Sequence, residues 1–507
     1  MSANDSATVA HSACSCSPNP PLPESFSAAA AADSKSASAA AVSAASDASA
    51  AASTTKPASA TAAAATDSAT TAAASAAEAI SAKWASLLNP PTAAAAAAPP
   101  PALSFEYSRH VSYFSMHLRS IPQGYESLDT SRMTMLYFCL SGLDVLGALQ
   151  AKVGEKEAKE IIEWIYAQQV LPPPVSGGSG AVGSEQPDYS RCGFRGGSSL
   201  GVPHDPHRSQ GLDPSMWGHD QAHIAMTYTA LCCLRILGDT SFSRVDRRAC
   251  IGALRFLQQD DGSFSSTSQR SESDMRFLYC ACAISAMLDD WTGFDLERSL
   301  NFIKASQSYD GGIGLWPGCE GHGGSTYTAI AALTLMRQAT SIPTHGQASS
   351  LPSQQASSVP PAGQASSPSR PISLSSLPSL PALLKWCIAN QGSGFRGRPN
   401  KPEDSCYSFW IGASLRMIGE EIGEDVYSWT APAANRQFNL RCQSAKYGGF
   451  SKEPGPFHPD LLHSYFGVCG LSLAGMDKEK LGELDVVLGL TKRAAAEELN
   501  TKVNGSN

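Results

Sequence analysis

The run Gly394 to Trp410, GFRGRPNKPEDSCYSFW, brings unlike chemistries close together. Arg396, Arg398 and Lys401 precede Asp404, Cys406 and Tyr407. Glycines and prolines hold the first half out of any regular helix. From Tyr407 the apolar residues recur at helical spacing, at Tyr407, Ile411, Leu415 and Ile418. The reactive groups therefore stand where a cationic loop runs into a helix N-terminus, a place that suits an anion such as phosphate. An Asp-x-Cys pair suits a metal that accepts both oxygen and sulfur, and zinc is the usual one. Each residue also has a structural reading. Asp404 could cap the helix, Cys406 could be a buried thiol, and the loop cations could be solvated.

The elements that must position these groups form an internal repeat. A helix-like segment ends in Gln, a short Gly-rich turn follows, and a second helix-like segment begins after a loop. The Gln and turn elements are Gln168-Gln169, Gln258-Gln259 before Gly262, Gln307 before Gly311-Gly312, Gln391 before Gly394, and Gln443 before Gly448-Gly449. The period is about 50 residues, and the wider gap from Gln307 to Gln391 returns to it once a Ser/Pro/Gln-rich block at about 340–381 is set aside. The first helix of a unit is amphipathic. In Arg247 to Leu257, Cys250, Leu254 and Leu257 form a stripe opposite Arg248 and Arg255. The second, such as Phe277 to Leu288, is apolar nearly all round and must be buried on every side. Strand signals are nearly absent. Stacked hairpins of this kind could form an open solenoid or a ring, and the fully buried set favours an all-α architecture, a closed α/α barrel or toroid. Inner helices that start at one end would then bring their first residues together. Those residues are His223, Arg276 with Tyr279, His322 with Gly323-Gly324-Ser325, the stretch from Arg398 to Tyr407, and His463. His463 could be an ordinary part-buried histidine, but with Asp404 and Cys406 at equivalent points of adjacent repeats it could also complete three metal ligands with a fourth position open, the arrangement of a catalytic zinc. His322 with its glycines, together with Arg398 and Lys401, suits an anion.

Composition bounds the rest. Residues 1–103 are Ala-, Ser-, Thr- and Pro-rich and too poor in large apolar residues to form a core, so they read as disordered, with a targeting segment as the alternative. The ordered domain is expected over 104–492, with a low-complexity insertion at about 340–381, a Pro/Gly/Ser loop at about 171–183, and a C-terminal tail over 493–507. The net charge of −8 argues against nucleic-acid binding. The 14 cysteines are scattered, mostly through apolar segments, which suits buried thiols in a reducing, cytoplasmic setting. No apolar run reaches the length of a membrane span.

Several longer motifs resemble the β subunits of protein prenyltransferases, and among them most the type I geranylgeranyltransferases. They include YESLDTSRMTM from Tyr125, EWIYAQQVLP from Glu163, RCGFRG from Arg191, HIAMTYT from His223 and DMRF from Asp274. GHGGST from Gly321, GRPNKPEDSCYSFW from Gly397 and HPDLLHSYFG from His458 complete the set. The likeness covers about 105–475 apart from the insertions.

The resemblance implies an α/α barrel with Asp404, Cys406 and His463 as zinc ligands. It implies that His322, Arg398, Lys401 and Tyr407 bind a diphosphate, and that Arg276 and Tyr279 lie near peptide and isoprenoid. His223, Phe277 and Leu462 would border the pocket for the acceptor's last residue. Thr134 and Leu462 stand where farnesyl-transferring relatives carry aromatics, so room is expected for a 20-carbon chain. Lys452 matches a lysine that replaces a magnesium-binding carboxylate, so magnesium is expected to be dispensable. The implied activity is transfer of geranylgeranyl from its diphosphate to the cysteine of C-terminal C-a-a-X motifs, X usually Leu or Phe, in proteins such as small GTPases. A separate α subunit is the implied partner in a heterodimer. The rivals are a Rab-type geranylgeranyltransferase β subunit, a terpene cyclase, and a non-catalytic helical repeat scaffold. The cyclase would need an acidic D-x-D-D motif, which this sequence lacks.

Overall fold

The inner helices of this chain are made of residues that cannot face water. In the computed structural model they are α2 (Arg132–Val145), α4 (Ile224–Ile236), α6 (Met275–Leu288), α8 (Gly323–Ser341), α10 (Tyr407–Ile422) and α12 (Leu461–Leu473). The structure describes residues 103–172, 187–201, 220–269, 271–341, 371–476 and 480–496. In α6, 12 of 14 residues are buried. The outer helices are α1 (Tyr107–Arg119), α3 (Glu155–Tyr166), α5 (Arg247–Leu257), α7 (Leu296–Ala305), α9 (Leu380–Ala389) and α11 (Pro432–Cys442). In α7 only Ser299, Phe302 and Ile303 are buried, as a single apolar stripe requires.

Each outer helix packs on the inner helix that follows it. The inner helices pack in chain order, and α12 packs back on α2, so the ring closes. Among the described residues, strands are limited to three two-residue antiparallel ladders.

The recurring Gln and Gly have one physical job. Each Gln side chain hydrogen-bonds the backbone just before the next outer helix. Gln258 accepts from the Asp295 N–H at 3.0 Å and donates to the Asp295 carbonyl at 2.8 Å. Gln307 makes both bonds to Ser379 at 2.8 Å, and Gln391 makes them to Ala431 at 2.7 and 2.9 Å. Gln169 takes the Asp246 N–H and donates to the Arg244 carbonyl. Gln443 closes the circle onto the start of α1, accepting from Glu106 N at 3.1 Å and donating to the Ser104 carbonyl at 2.6 Å. The turn glycines Gly262, Gly311 and Gly448 all have positive φ. A Cβ on any of them would collide with the carbonyl of the third residue of the next outer helix, Arg298, Ala382 or Arg109. Glycine is therefore required twice over, for conformation and for close approach.

Two boundaries differ from expectation. The low-complexity block is narrower than 340–381, because Ile372, Leu374 and Leu377 are buried in the core and Ser379 caps α9. Serine-rich composition hid three apolar anchors. At the other end Arg493 and Ala494 belong to the packed domain: Arg493 pairs with Asp144 at 2.7 Å, and Ala494 is buried. The stretches 1–102, 173–186 and 497–507 lie outside the described residues.

Candidate metal and anion site

The inner helices all begin at one end of the ring, and most begin with a side chain that caps. His223 Nδ1 accepts from the Ala225 N–H, Asp274 accepts from Arg276, and Asp460 accepts from His463. His322 Nδ1 accepts from the Gly324 N–H at 3.1 Å. Capping thus places imidazoles and carboxylates around one rim.

At that rim Asp404, Cys406 and His463 come together, all buried, with their ligand atoms within 4.8 Å of one another. His463 Nε2 lies 3.4 Å from Asp404 Oδ1. The Asp460 carboxylate accepts the His463 backbone N–H at 2.9 Å and faces its Nδ1 at 2.6 Å. This fixes Nδ1 as the protonated nitrogen and turns Nε2 toward Asp404 and Cys406. Asp404 does not cap α10 in the usual way. Its Oδ1 accepts from the Cys406 N–H at 2.9 Å, and Cys406 itself occupies the cap position without a side-chain bond.

The three side chains are buried together, and each shifts the titration of the others. Burial, and then the Asp404 carboxylate, push the Cys406 thiol up to about 12. Burial works against charge on His463, but Asp460 and Asp404 outweigh it and raise its pKa well above the ordinary value. Burial likewise raises Asp404, yet the hydrogen bond from His463 brings it below the usual carboxylate range. A carboxylate, a thiol and an imidazole oriented by a second carboxylate make a donor set that fits zinc.

The anion side adjoins it. His322 Nε2 and the Tyr407 hydroxyl are 3.0 Å apart. Burial, helped by the Arg398 charge, lowers His322 to about 4, so the ring is neutral at pH 7. Because Nδ1 accepts from Gly324, Nε2 carries the proton and donates to the Tyr407 oxygen. The Tyr407 proton is then free for an acceptor in the mouth. Burial and the neighbouring Cys406 keep that phenol well above its ordinary pKa, so it stays a donor. The loop of Arg398 is fastened beside them, since the Gly323 N–H donates to the Gly397 carbonyl at 2.8 Å. A Cβ on Gly397 would lie 2.3 Å from the Tyr407 hydroxyl oxygen, so only glycine lets the loop approach. Arg398 pairs with Glu320 across the rim. Lys401 is exposed on the same loop.

A third group lies on α4 and α6. The His223 and Phe277 rings meet edge to face at 5.7 Å, and the Arg276 guanidinium stands 5.1 Å from the Phe277 centroid. Arg276 is held by Asp274 at 2.6 Å and Glu272 at 3.1 Å. Tyr279, one turn deeper, bonds the Val487 carbonyl at 2.9 Å. Thr134 is half-buried on α2, 3.5 Å from the Met226 sulfur. Leu462 is half-buried beside His463. Lys452 touches this end through its backbone, its carbonyl accepting from Ser405 at 2.8 Å, while its side chain is exposed.

Reading the sequence missed Asp460 and Glu320. A signal for Asp460 was present, an Asp three residues before His at the start of an apolar helix. Glu320 carried none, because its partner Arg398 is 78 residues away.

Comparison with known proteins agrees with this architecture. The chain matches the prenyltransferase alpha-alpha toroid domain over residues 105–490. It is 38% identical over 399 residues to the geranylgeranyl transferase type-1 subunit beta of Arabidopsis thaliana, covering 78% of this chain and 91% of that protein. It is 34% identical over 388 residues to the Dictyostelium discoideum protein of the same name, covering 76% and 95%. The fold is also that of Candida albicans protein geranylgeranyltransferase-I complexed with GGPP, with a TM-score of 0.58 at 21% identity, over 77% of this chain and 97% of that one. A closed ring of six helical hairpins, with a matching domain across it, places the chain in the prenyltransferase α/α-toroid family.

Proposed function

We infer that this chain is the catalytic β subunit of a type I protein geranylgeranyltransferase, moving a geranylgeranyl group from its diphosphate to the cysteine of a C-terminal C-a-a-X acceptor. The observation that carries the reading is the buried Asp404–Cys406–His463 trio beside the His322–Tyr407 pair at one rim of the barrel. One half suits a thiol acceptor and the other suits the leaving group of its donor.

Zinc held by Asp404, Cys406 and His463 would supply the positive charge that keeps an acceptor thiol as thiolate at neutral pH. Asp460 keeps His463 in the tautomer that presents Nε2. The acceptor sulfur bonds to the first carbon of the isoprenoid as the carbon–oxygen bond to diphosphate breaks. Tyr407, backed by the His322 Nε2–H, donates to the charge that develops on the leaving oxygens, and Arg398 and Lys401 neutralise it. Arg398 must first exchange Glu320 for the diphosphate, which keeps the loop in place when no donor is bound. Lys452 would add a cation in place of magnesium. His223, Phe277 and Leu462 border the acceptor's last side chain, and Thr134 leaves room for the longer donor.

The partner is a prenyltransferase α subunit, and the setting is the cytoplasm, where small GTPases ending in C-a-a-Leu or C-a-a-Phe would be acceptors. No helix among the described residues is long and apolar enough to cross a membrane. The test is the Tyr407→Phe variant of the full heterodimer, which removes only the hydroxyl. Transfer to a C-a-a-Leu peptide should fall by about tenfold or more in kcat with peptide affinity kept. An unchanged kcat would remove Tyr407 from leaving-group stabilisation.

A further inference from the structure

Glu320 puts a negative charge inside a site whose other side chains suit an anion. It stands two residues before His322, in the loop that leads into α8. Its carboxylate pairs with the Arg398 guanidinium, from a loop 78 residues further along the chain. Both charges are felt at the His322 ring that backs Tyr407. Arg398 lowers the pKa of that ring and Glu320 raises it.

The backbone around Glu320 is held, and its side chain is not. The Met275 N–H donates to the Leu315 carbonyl at 3.1 Å, the Cys319 N–H to Trp316 at 3.2 Å, and the His322 N–H to Ile313 at 3.1 Å. A Cβ on Gly321 would lie 2.7 Å from the Gly312 Cα, so the turn is packed against the one before it. The Glu320 side chain, in contrast, is 53% exposed and that of Arg398 39%. An ion pair so open to water contributes little to stability and is readily broken. Arg396, on the same loop as Arg398, is different. It pairs at 3.5 Å with Glu403 of its own loop, and both are 28% exposed. A Cβ on Gly392 would sit 2.0 Å from the Glu403 carboxylate oxygen, so that pair is packed into the loop. Glu403 shapes the loop, whereas Glu320 reaches it from outside and occupies the arginine that faces the anion.

Transfer gives such a carboxylate a use. Once the carbon–oxygen bond breaks, free diphosphate carries one more ionisable oxygen than the donor ester did. Cations that stabilise the departing charge therefore hold the product at least as tightly as the donor. A carboxylate that competes for the same guanidinium offsets that hold.

We propose that Glu320 is a displacing anion, which takes Arg398 back from inorganic diphosphate after transfer and so sets how fast that product leaves. This rests on the diphosphate-binding reading above. The experiment uses the full chain with its α subunit and inorganic diphosphate as the probe. Glu320→Gln keeps the size of the side chain and removes its charge. Competition against a fluorescent isoprenoid diphosphate should show inorganic diphosphate binding about three- to tenfold tighter, with its dissociation in stopped flow slower by about the same factor. In an Arg398→Gln background the same change should have no such effect, because the contested guanidinium is gone. Unchanged or weaker diphosphate binding in folded Glu320→Gln overturns the inference. So does a gain that comes only from faster association, or an equal gain in the Arg398→Gln background, which would assign it to the general field of the rim. Each of these leaves the proposed function standing. A wild-type complex that binds neither inorganic diphosphate nor the isoprenoid probe overturns both.

Discussion

Asp460 holds His463 at two points, through the backbone N–H and through Nδ1, and so decides which nitrogen faces Asp404 and Cys406. Replacing it by Asn keeps a capping side chain and removes the charge. Zinc affinity, measured by chelator competition, should fall by about 10- to 100-fold. Cys406→Ala should remove zinc altogether by elemental analysis, and full stoichiometry in that variant would sink the ligand assignment. The buried histidines make a separate prediction about acid. Burial lowers His110 to about 4, stacked between Phe105 and Phe450 with Nδ1 accepting from Gly449. Its folded pKa lies below the unfolded value of about 6.5, so the fold favours the neutral ring. That stabilisation is full above pH 6.5 and is lost as pH falls toward 4, by about 3 kcal/mol at most. Denaturant unfolding at several pH values should therefore show wild type taking up one more proton on unfolding than His110→Phe. Equal slopes would show that His110 is not the titrating group.

The two kinds of helix were legible because burial writes itself into periodicity. One stripe gave the outer helices, and apolar character all round gave the inner ones. The observed α5 has the bounds expected from the sequence, Arg247–Leu257. The Gln and Gly positions were legible as a repeat but not as a mechanism. Their partners lie far along the chain, 37 residues from Gln258 to Asp295 and 72 from Gln307 to Ser379. The consequence can be measured at Gln307, which ties α9 to the turn after α7. Gln307→Ala leaves the Ser379 N–H and carbonyl without this partner. It should cost about 1–3 kcal/mol in equilibrium unfolding of the heterodimer. A change under a few tenths would mean that the clamp is replaceable by water.

At the scale of the molecule, closure was the part that composition could not decide, since an open solenoid uses the same hairpins. It follows from α12 packing on α2 and from Gln443 bonding the start of α1, contacts between opposite ends of the domain. His463 meets Asp404 and Cys406 because their hairpins are neighbours in chain order, whereas closure is what sets α2, which carries Thr134, beside α12. The hairpin that pairs Leu484–Asp485 with Leu490–Thr491, onto whose turn carbonyls five inner-helix tyrosines converge, was missed, because LDVVLGL reads as an ordinary short apolar stretch. Donor length belongs to this scale as well. Thr134→Trp should shift preference toward farnesyl diphosphate, by at least about tenfold in the ratio of kcat/KM values, since a bulky ring would take space from the last isoprene unit.

The measurement that bears most directly on the account is prenyl transfer to a peptide ending in C-a-a-Leu. It uses the chain co-purified with an α subunit, with zinc and without magnesium, and compares geranylgeranyl with farnesyl diphosphate. The expected result is zinc-dependent transfer that prefers the geranylgeranyl donor. A zinc-loaded, intact complex that transfers nothing to the peptide, and acts only when an escort protein presents the acceptor, would contradict it.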